Sequence, residues 1–493
     1  MEFQRRIDLI EKLQGLEQKY QVELWELNHV KIWPLIKKLI FFNSFNNDNS
    51  SKKVNSIKVN KSKLFVNINK TFGLILKIGF SYIKRLTTRI PHTDIVFSGA
   101  SNYRINYKDN SLNRYFDPIL DSLSKDNLLS GILTDYNSFP KSAIYKKFRV
   151  INLTIFYHSF LKFRNLKSEW DYLVKSNSEF DNFLIDIESL EIIKASRLRE
   201  QLTSSLNKIL NWKSLFKWVL RKSKARLAFG LCYYNTQMYG MNLAANELGI
   251  QSIDMQHGGQ GPLHVAYNIN KHPLKGYDLL PAVFWVWDEF SANQLTKYFN
   301  NSNYKIIRGG NPSMSLYNDD LSLVDNQNDK PNILITLQPL DEFLPEYIYR
   351  VIRNTLERYN WWIRLHPRMK DYQIKKLNQK LEYFNIYEEV KITEVSSFPL
   401  AKVLDKSDLH ISKFSGTIIE AALVNVRSII IDPVGIQSYT ELINSGLAFG
   451  FSDDHNESFE KLIEDKLKSN AILKKEVLVD YKNTLYNIMK FKV

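Results

Sequence analysis

From residue 93 to about residue 310, short apolar runs rich in β-branched residues alternate with longer amphipathic ones, and the alternation returns between 332 and 432. Runs at 94–98, 131–134, 149–153, 250–255, 283–287 and 305–307 have the length and composition of buried strands. Those at 119–125, 188–208 and 237–248 carry apolar residues at helical spacing. A turn-rich segment, 309–332, interrupts the pattern. Strands are then expected at 333–337, 361–365, 409–412 and 427–432, with helices at 346–358, 372–382 and 417–424.

Strand and helix in alternation predict βαβ units and parallel sheets covered on both faces. The fold class is therefore α/β, with two Rossmann-like doubly wound domains facing a cleft. The expected division is a helical N-terminal extension over 1–90 with a polar Asn/Ser/Lys linker at 43–63, a first domain over 91–312, a second over 330–470, and a final helix over 471–493. Ligands of such sheets bind in the crevice at the carboxyl ends of the strands.

The chain has 493 residues, enough for two or more full cores, and its composition is that of a folded protein rather than a collagen-like or disordered one. A net charge of +15 favours anionic partners without choosing among phosphorylated small molecules, nucleic acid and an acidic membrane face. The single cysteine, Cys232, excludes an intrachain disulfide. The charged opening MEFQRRIDLIEKLQ lacks the apolar run of an export signal, so a cytoplasmic location is expected. No run is long and apolar enough to span a bilayer. Residues 30–42 and 70–89 nevertheless mix bulky apolar residues with lysines, which suits either peripheral contact with an anionic membrane face or an ordinary helix packed on the next domain.

Residues 361–368 read WWIRLHPR. A strand ending at Leu365 would deliver His366 to the carboxyl edge of the sheet, with Pro367 stopping its continuation. An imidazole there can donate to a phosphate oxygen, with Arg364 or Arg368 adding charge; a structural strand-end histidine has the same local sequence. Residues 407–420, SDLHISKFSGTIIE, describe a strand running into a turn and then a helix. The turn could cradle an anion, and Thr417 with Glu420 could equally form a capping box that needs no ligand. In the first domain, IDMQHGGQG (253–261) places His257 after a strand, among glycines that allow close backbone approach. A proton-accepting histidine on one wall and an anion cradle on the other suit displacement of a phosphorylated leaving group by a hydroxyl.

These residues resemble a known group. QHG in the first domain, RLHP in the second and SDLHISKFSGTIIEAALVNVRSIIID beyond it look like the GT-B transferases of bacterial surface glycans: capsule Kdo transferases, polysialyltransferases and CDP-glycerol glycerophosphotransferases. The resemblance spans roughly 250–435. It implies a metal-independent, GT-B-like glycosyltransferase with no bound cofactor. A nucleotide-sugar donor, CMP-sugar favoured, would pass its sugar to a glycan or lipid-linked acceptor such as lipopolysaccharide or capsule. It implies His366 and Pro367 at the nucleotide phosphates, Ser412, Ser415, Gly416 and Thr417 around phosphate and sugar, Glu420 toward the ribose, and His257 as base. The tract is SKFSGT where many relatives carry an aspartate and paired serines, and the acidic triplet of polysialyltransferases is missing.

Gln338 and Gly310 join the donor side: Gln338 at the end of the first strand of the second domain, Gly310 in a GGNP turn that reads equally well as a plain hinge. Residues 102–117, with Arg104, Arg114 and Asp117 among aromatics, could form an acceptor loop, although surface solvation accounts for most of those charges as well. No Cys pair or carboxylate lies at metal-ligand spacing from His257 and His264, so no metal is expected. A nucleic-acid partner would leave the ordered QHG, HP and SGT elements unexplained. Polyol-phosphate transfer of teichoic-acid type would use the same histidines, whereas a UDP-sugar 2-epimerase would need several cleft carboxylates for proton shuttling.

Overall fold

Every strand of the two main sheets runs parallel to its neighbours, so the central strands are buried on both faces and mostly apolar without alternation, while edge strands such as Lys305–Arg308 and Val150–Asn152 are only partly buried. The computed structural model describes residues 2–46, 63–107, 109–126, 129–137, 143–162, 178–300, 303–318, 329–340, 342–452, 455–468 and 480–490. The first-domain sheet has the order Lys305–Arg308, Val283–Val286, Gln251–Met255, Leu227–Leu231, Ile95–Gly99, Gly131–Asp135, Val150–Asn152. Numbered along the chain this is 7-6-5-4-1-2-3, so the direction of winding reverses between Ile95–Gly99 and Leu227–Leu231. The second sheet, Asn360–Arg364, Asn332–Thr336, Leu409–Ser412, Ser428–Ile430, Ala448–Gly450, has the order 2-1-3-4-5 and reverses between Asn332–Thr336 and Leu409–Ser412. Each reversal opens a crevice at the carboxyl ends of the two strands concerned. The α/β class and the paired Rossmann-like domains are as expected.

The N-terminal helices are packed into the first domain. Leu13, Trp25, Trp33 and Ile36, all fully buried, share one core with Phe180, Leu206, Phe284 and Leu295 of the first domain. Of the two readings expected for residues 30–42, the packed helix is the one observed: helix Trp33–Asn46 buries Trp33, Leu35, Ile36, Ile40 and Phe41, while Phe42 is 40% exposed. A buried ion pair ties it down. Glu17 accepts from Lys37 Nζ at 2.8 Å, Trp33 Nε1 at 3.0 Å, and the backbone N–H groups of Asn270 and Lys271 at 2.9 and 3.1 Å. Lys37 also donates to the Asn268 carbonyl at 2.7 Å. The expected linker falls mostly on 47–62, outside the described residues.

Three further departures have local causes. Leu227–Leu231 (LAFGL), central in the sheet, follows directly on helix Ala195–Ser223 with little punctuation. The expected helix over 188–208 is two helices, Ser178–Ser189 and Ala195–Ser223. The expected acceptor loop is a hairpin, Arg104–Tyr107 with Asn110–Asn113, joined by Ala143–Ile144. At the other end, Tyr481, Leu485 and Ile488 of helix Tyr481–Lys490 return to pack with Ile119 and Trp285 of the first domain.

Candidate active site

At the crevice of the second domain, the strand ends are joined by a buried polar network. The Thr336 hydroxyl lies 2.8 Å from His410 Nε2, 3.0 Å from Ser412 Oγ and 2.9 Å from Thr417 Oγ1, while His410 Nδ1 lies 2.8 Å from Ser428 Oγ. Burial pushes His410 down to about 3, so the ring is neutral and serves to fix the strand and the start of helix Thr417–Leu423. Ser412 is 1% exposed and its hydroxyl is spent within the network, which corrects its assignment to the cradle surface. Ser415, Gly416 and Thr417 do form the turn: Ser415 Oγ accepts from Thr417 N–H at 3.3 Å, and the Ser415 carbonyl accepts from Tyr439 Oη at 3.0 Å. Gln338 Oε1 accepts from Phe414 N–H at 3.4 Å, closing the loop over the crevice.

His366 follows strand Asn360–Arg364 at the same edge, half-buried, with Pro367 exposed beside it. Its Nδ1 accepts from the Arg368 N–H at 3.1 Å, which puts the proton of the neutral ring on Nε2 and leaves that N–H for a ligand. Burial and then the Arg368 guanidinium lower this histidine to about 4. Arg364 donates to the Val395 carbonyl and is lowered to about 10 by burial and by the charge of Arg114, so it braces the loop from beneath.

Across the cleft, His257 follows strand Gln251–Met255 and stands against the tyrosines that occupy the first domain's own crevice. Tyr103 meets it edge-on at 5.7 Å between ring centroids, and Tyr234 Oη lies 3.4 Å from its Nε2. Tyr234 Oη also lies 3.2 Å from His264 Nε2, and His264 Nδ1 accepts from the Ala266 N–H at 3.3 Å. That order of partners fixes the direction of the chain: His264 donates to Tyr234, and Tyr234 donates to His257, leaving His257 Nε2 as the acceptor. Burial lowers His257 to about 4, with the Met255 carbonyl partly opposing and the charge of Arg368 contributing. Beneath the loop, Asp254 accepts from Tyr233 N–H at 3.0 Å and Tyr267 Oη at 3.2 Å; burial raises this carboxyl well above its ordinary value.

The two walls touch. A Cβ on Gly416 would stand 2.8 Å from Gly258 Cα, so only glycine lets the turn of the second domain approach the His257 loop this closely. The charge of Arg368, two residues beyond His366, bears on both His366 and His257.

Glu420 is placed differently from the expected ribose contact. It is 4% exposed and ion-paired with Arg114 of the first domain, with Asn311 Nδ2 at 3.2 Å and Ser313 Oγ at 3.4 Å. The expected capping box with Thr417 is therefore not formed, and the carboxylate links the domains instead. Gly310, at φ 72°, turns the chain out of the first domain with its carbonyl held by Trp285 Nε1 at 2.9 Å, a hinge role. Of the charges in residues 102–117, the side chains of Arg104 and Asp117 are buried and that of Arg114 is partly buried, while Asp109 is exposed. Arg104 pairs with Asp135 at 2.8 Å, and Asp117, raised to about 6 by burial, accepts from Asn113 N–H at 2.7 Å.

Sequence reasoning missed Arg114–Glu420 and the Tyr234–His264 relay. The first spans 306 residues and has no local signature; the second had one cue, a tyrosine pair directly after a strand. Among the described residues no group of three or more His, Cys, Asp and Glu is placed to hold a metal ion. A cavity of about 440 Å³ lies beside the N-terminal helix, lined by Gln4, Asp8 and Leu190, and includes none of the cleft residues.

No protein-family profile matches the chain. No curated protein matches it either. Solved structures do. A provisionally named UDP-N-acetylglucosamine 2-epimerase from Listeria monocytogenes aligns with a TM-score of 0.51 at 11% identity, covering 80% of this chain and 95% of that one. The UDP-GlcNAc 2-epimerase of Neisseria meningitidis, bound to UDP-GlcNAc, aligns at 0.47 and 15% identity over 80% and 100% of the two chains. The calicheamicin glycosyltransferase CalG4 aligns at 0.43 and 10% identity over 81% and 94%. The Listeria likeness supports the GT-B-like architecture of two Rossmann-like domains.

Proposed function

We propose that the chain is a nucleotide-sugar enzyme that binds its donor between the two domains and transfers the glycosyl group to an acceptor hydroxyl. The observation that carries this reading is the close approach of the 415–417 turn to the glycine loop that follows His257, with His366 at the carboxyl edge of the same sheet as the turn. In this reading His366 Nε2–H donates to a donor phosphate oxygen, Arg368 balances the charge of the leaving nucleotide, and the acceptor hydroxyl replaces the Tyr234 hydroxyl at His257 Nε2, which then takes its proton. Domain contact excludes water, so that transfer outruns hydrolysis. The acceptor is a glycan or lipid-linked hydroxyl, and no bound cofactor or metal is invoked.

Epimerisation at carbon 2 is the competing reading, favoured by the architecture shared with the Listeria protein. It requires a free carboxylate or comparable base on each face of the sugar. Three buried carboxyl groups bordering the cleft are already engaged: Asp254 and Asp288 hold backbone N–H groups, and Glu420 holds Arg114. That is the reason to prefer transfer.

One assay separates the readings. Incubated in D₂O with UDP-, CMP- and GDP-sugars, the full chain should release nucleotide slowly without acceptor, incorporate no deuterium into recovered sugar, and release nucleotide faster with an oligosaccharide acceptor. Deuterium at carbon 2 of a recovered nucleotide sugar would establish the epimerase reading and overturn this one.

A further inference from the structure

Helix Lys63–Thr87 is built the wrong way round for a helix of a soluble core. Its outward face carries Phe72, Ile75, Leu76, Phe80, Ile83 and Leu86, each between 55% and 68% exposed. Their spacing of three and four residues puts them on one continuous stripe. The inward face is the more polar one at its C-terminal half: Ser81 is buried, and the Arg85 guanidinium lies 4.2 Å from the Phe160 ring centroid and 6.0 Å from that of Trp218. Helix Thr154–Tyr157 and the turn His158–Phe160 form the surface it rests on. Scattered exposed apolar residues need no explanation, but a stripe of six large ones along one helix marks a docking face.

Charge identifies the partner. Residues 49–93 contain ten Lys and Arg and no Asp or Glu, in a chain whose acidic residues are otherwise spread throughout. Lys77 and Lys84 stand exposed on one flank of the stripe and Arg89 just beyond its end. An apolar stripe flanked by cations alone complements a surface that is greasy within and anionic at its rim. Among the described residues no helix is long and apolar enough to cross a bilayer, so this helix would lie in the plane of the interface. We infer that helix Lys63–Thr87 docks the protein onto an anionic lipid bilayer, with Phe72, Ile75, Leu76, Phe80, Ile83 and Leu86 entering the acyl boundary and the flanking Lys and Arg at the headgroups.

Flotation of the full chain with lipid vesicles tests this. Binding to phosphatidylcholine vesicles containing phosphatidylglycerol should exceed binding to phosphatidylcholine alone by about tenfold or more, and should weaken in high salt. Ile75→Glu with Ile83→Glu should abolish binding to both while leaving nucleotide affinity and the melting temperature unchanged, because both side chains are exposed. Lys84→Glu with Arg89→Glu should remove the preference for the anionic vesicles. Absence of vesicle binding by the wild type would overturn the inference, as would an Ile75→Glu/Ile83→Glu variant that still binds. So would light scattering that shows a wild-type dimer, dispersed by that variant, with no affinity for vesicles. None of these outcomes touches the interdomain site, so failure here leaves the proposed transfer standing.

Discussion

His257→Ala should lower turnover by about 10²- to 10⁴-fold, the usual contribution of a positioned proton acceptor, while nucleotide affinity stays within about twofold of wild type. Nucleotide and histidine belong to different domains in this account: the donor rests on His366 and the 415–417 turn, whereas His257 is held by Tyr234 and Tyr103. Because burial lowers His257 to about 4, its neutral, proton-accepting form persists well below pH 6.5. The acid limb of kcat/KM should accordingly fall near pH 4 instead of near 6.5, and Tyr234→Phe, which removes the orienting hydroxyl, should move that limb. Steady-state kinetics across pH with both variants checks this; a loss of nucleotide affinity in His257→Ala equal to its loss in kcat would contradict the separation of roles. Stability follows the same sign. His257, His264, His366 and His410 all have folded values far below 6.5, so the unfolded chain takes up protons first and these groups contribute less stability as pH falls from 6.5 toward 4.

Glu17→Leu should be among the most destabilising single substitutions in the chain. It would leave the Lys37 ammonium, 1% exposed, without its counter-charge, and would orphan Trp33 Nε1 and the N–H groups of Asn270 and Lys271. Breaking a buried pair by removing one partner costs about 3–5 kcal/mol. The double variant Glu17→Leu/Lys37→Met should be less destabilised than Glu17→Leu alone, since no uncompensated charge stays buried. Denaturant unfolding of the three proteins measures the coupling, and simple additivity would show that the pair is not the clamp described. Burial tends to raise Glu17, but Lys37 and the backbone N–H groups outweigh it and leave its value lowered. Its contribution is thus present above the unfolded carboxyl range and is lost as pH falls through it.

The repeated exchange of strand and helix made the α/β class and the second domain legible, because parallel strands buried on both faces leave short apolar runs that little else produces. Where the pattern failed, side chains were too small or elements too short. Leu227–Leu231 contains Ala228 and Gly230, and a Cβ on Gly230 would meet Met238 Sδ at 2.6 Å, so a central strand lost the bulk that would have announced it. Ala448–Gly450 has only three residues. His366 and His257 were legible as candidates because strand ends at a carboxyl edge have a local signature. Glu420 was misplaced because its partner, Arg114, is brought to it only by the folding of the whole chain. The two apolar, lysine-bearing runs looked alike in sequence, yet one is buried in the first-domain core and the other presents its apolar face outward. Only tertiary packing distinguishes them.

The central claim is that one gap between the domains holds a nucleotide through His366. Calorimetric titration of the full chain with CMP, CDP, UDP, GDP and dTDP tests it most directly, supported by melting curves, since a nucleotide at 100 times its dissociation constant stabilises by about 2.7 kcal/mol. Wild type should bind at least one of the five, His366→Ala should bind that nucleotide at least about tenfold more weakly, and His257→Ala should bind it as wild type does. A chain that binds none of them, or a His366→Ala variant that binds as tightly as wild type, would contradict the account.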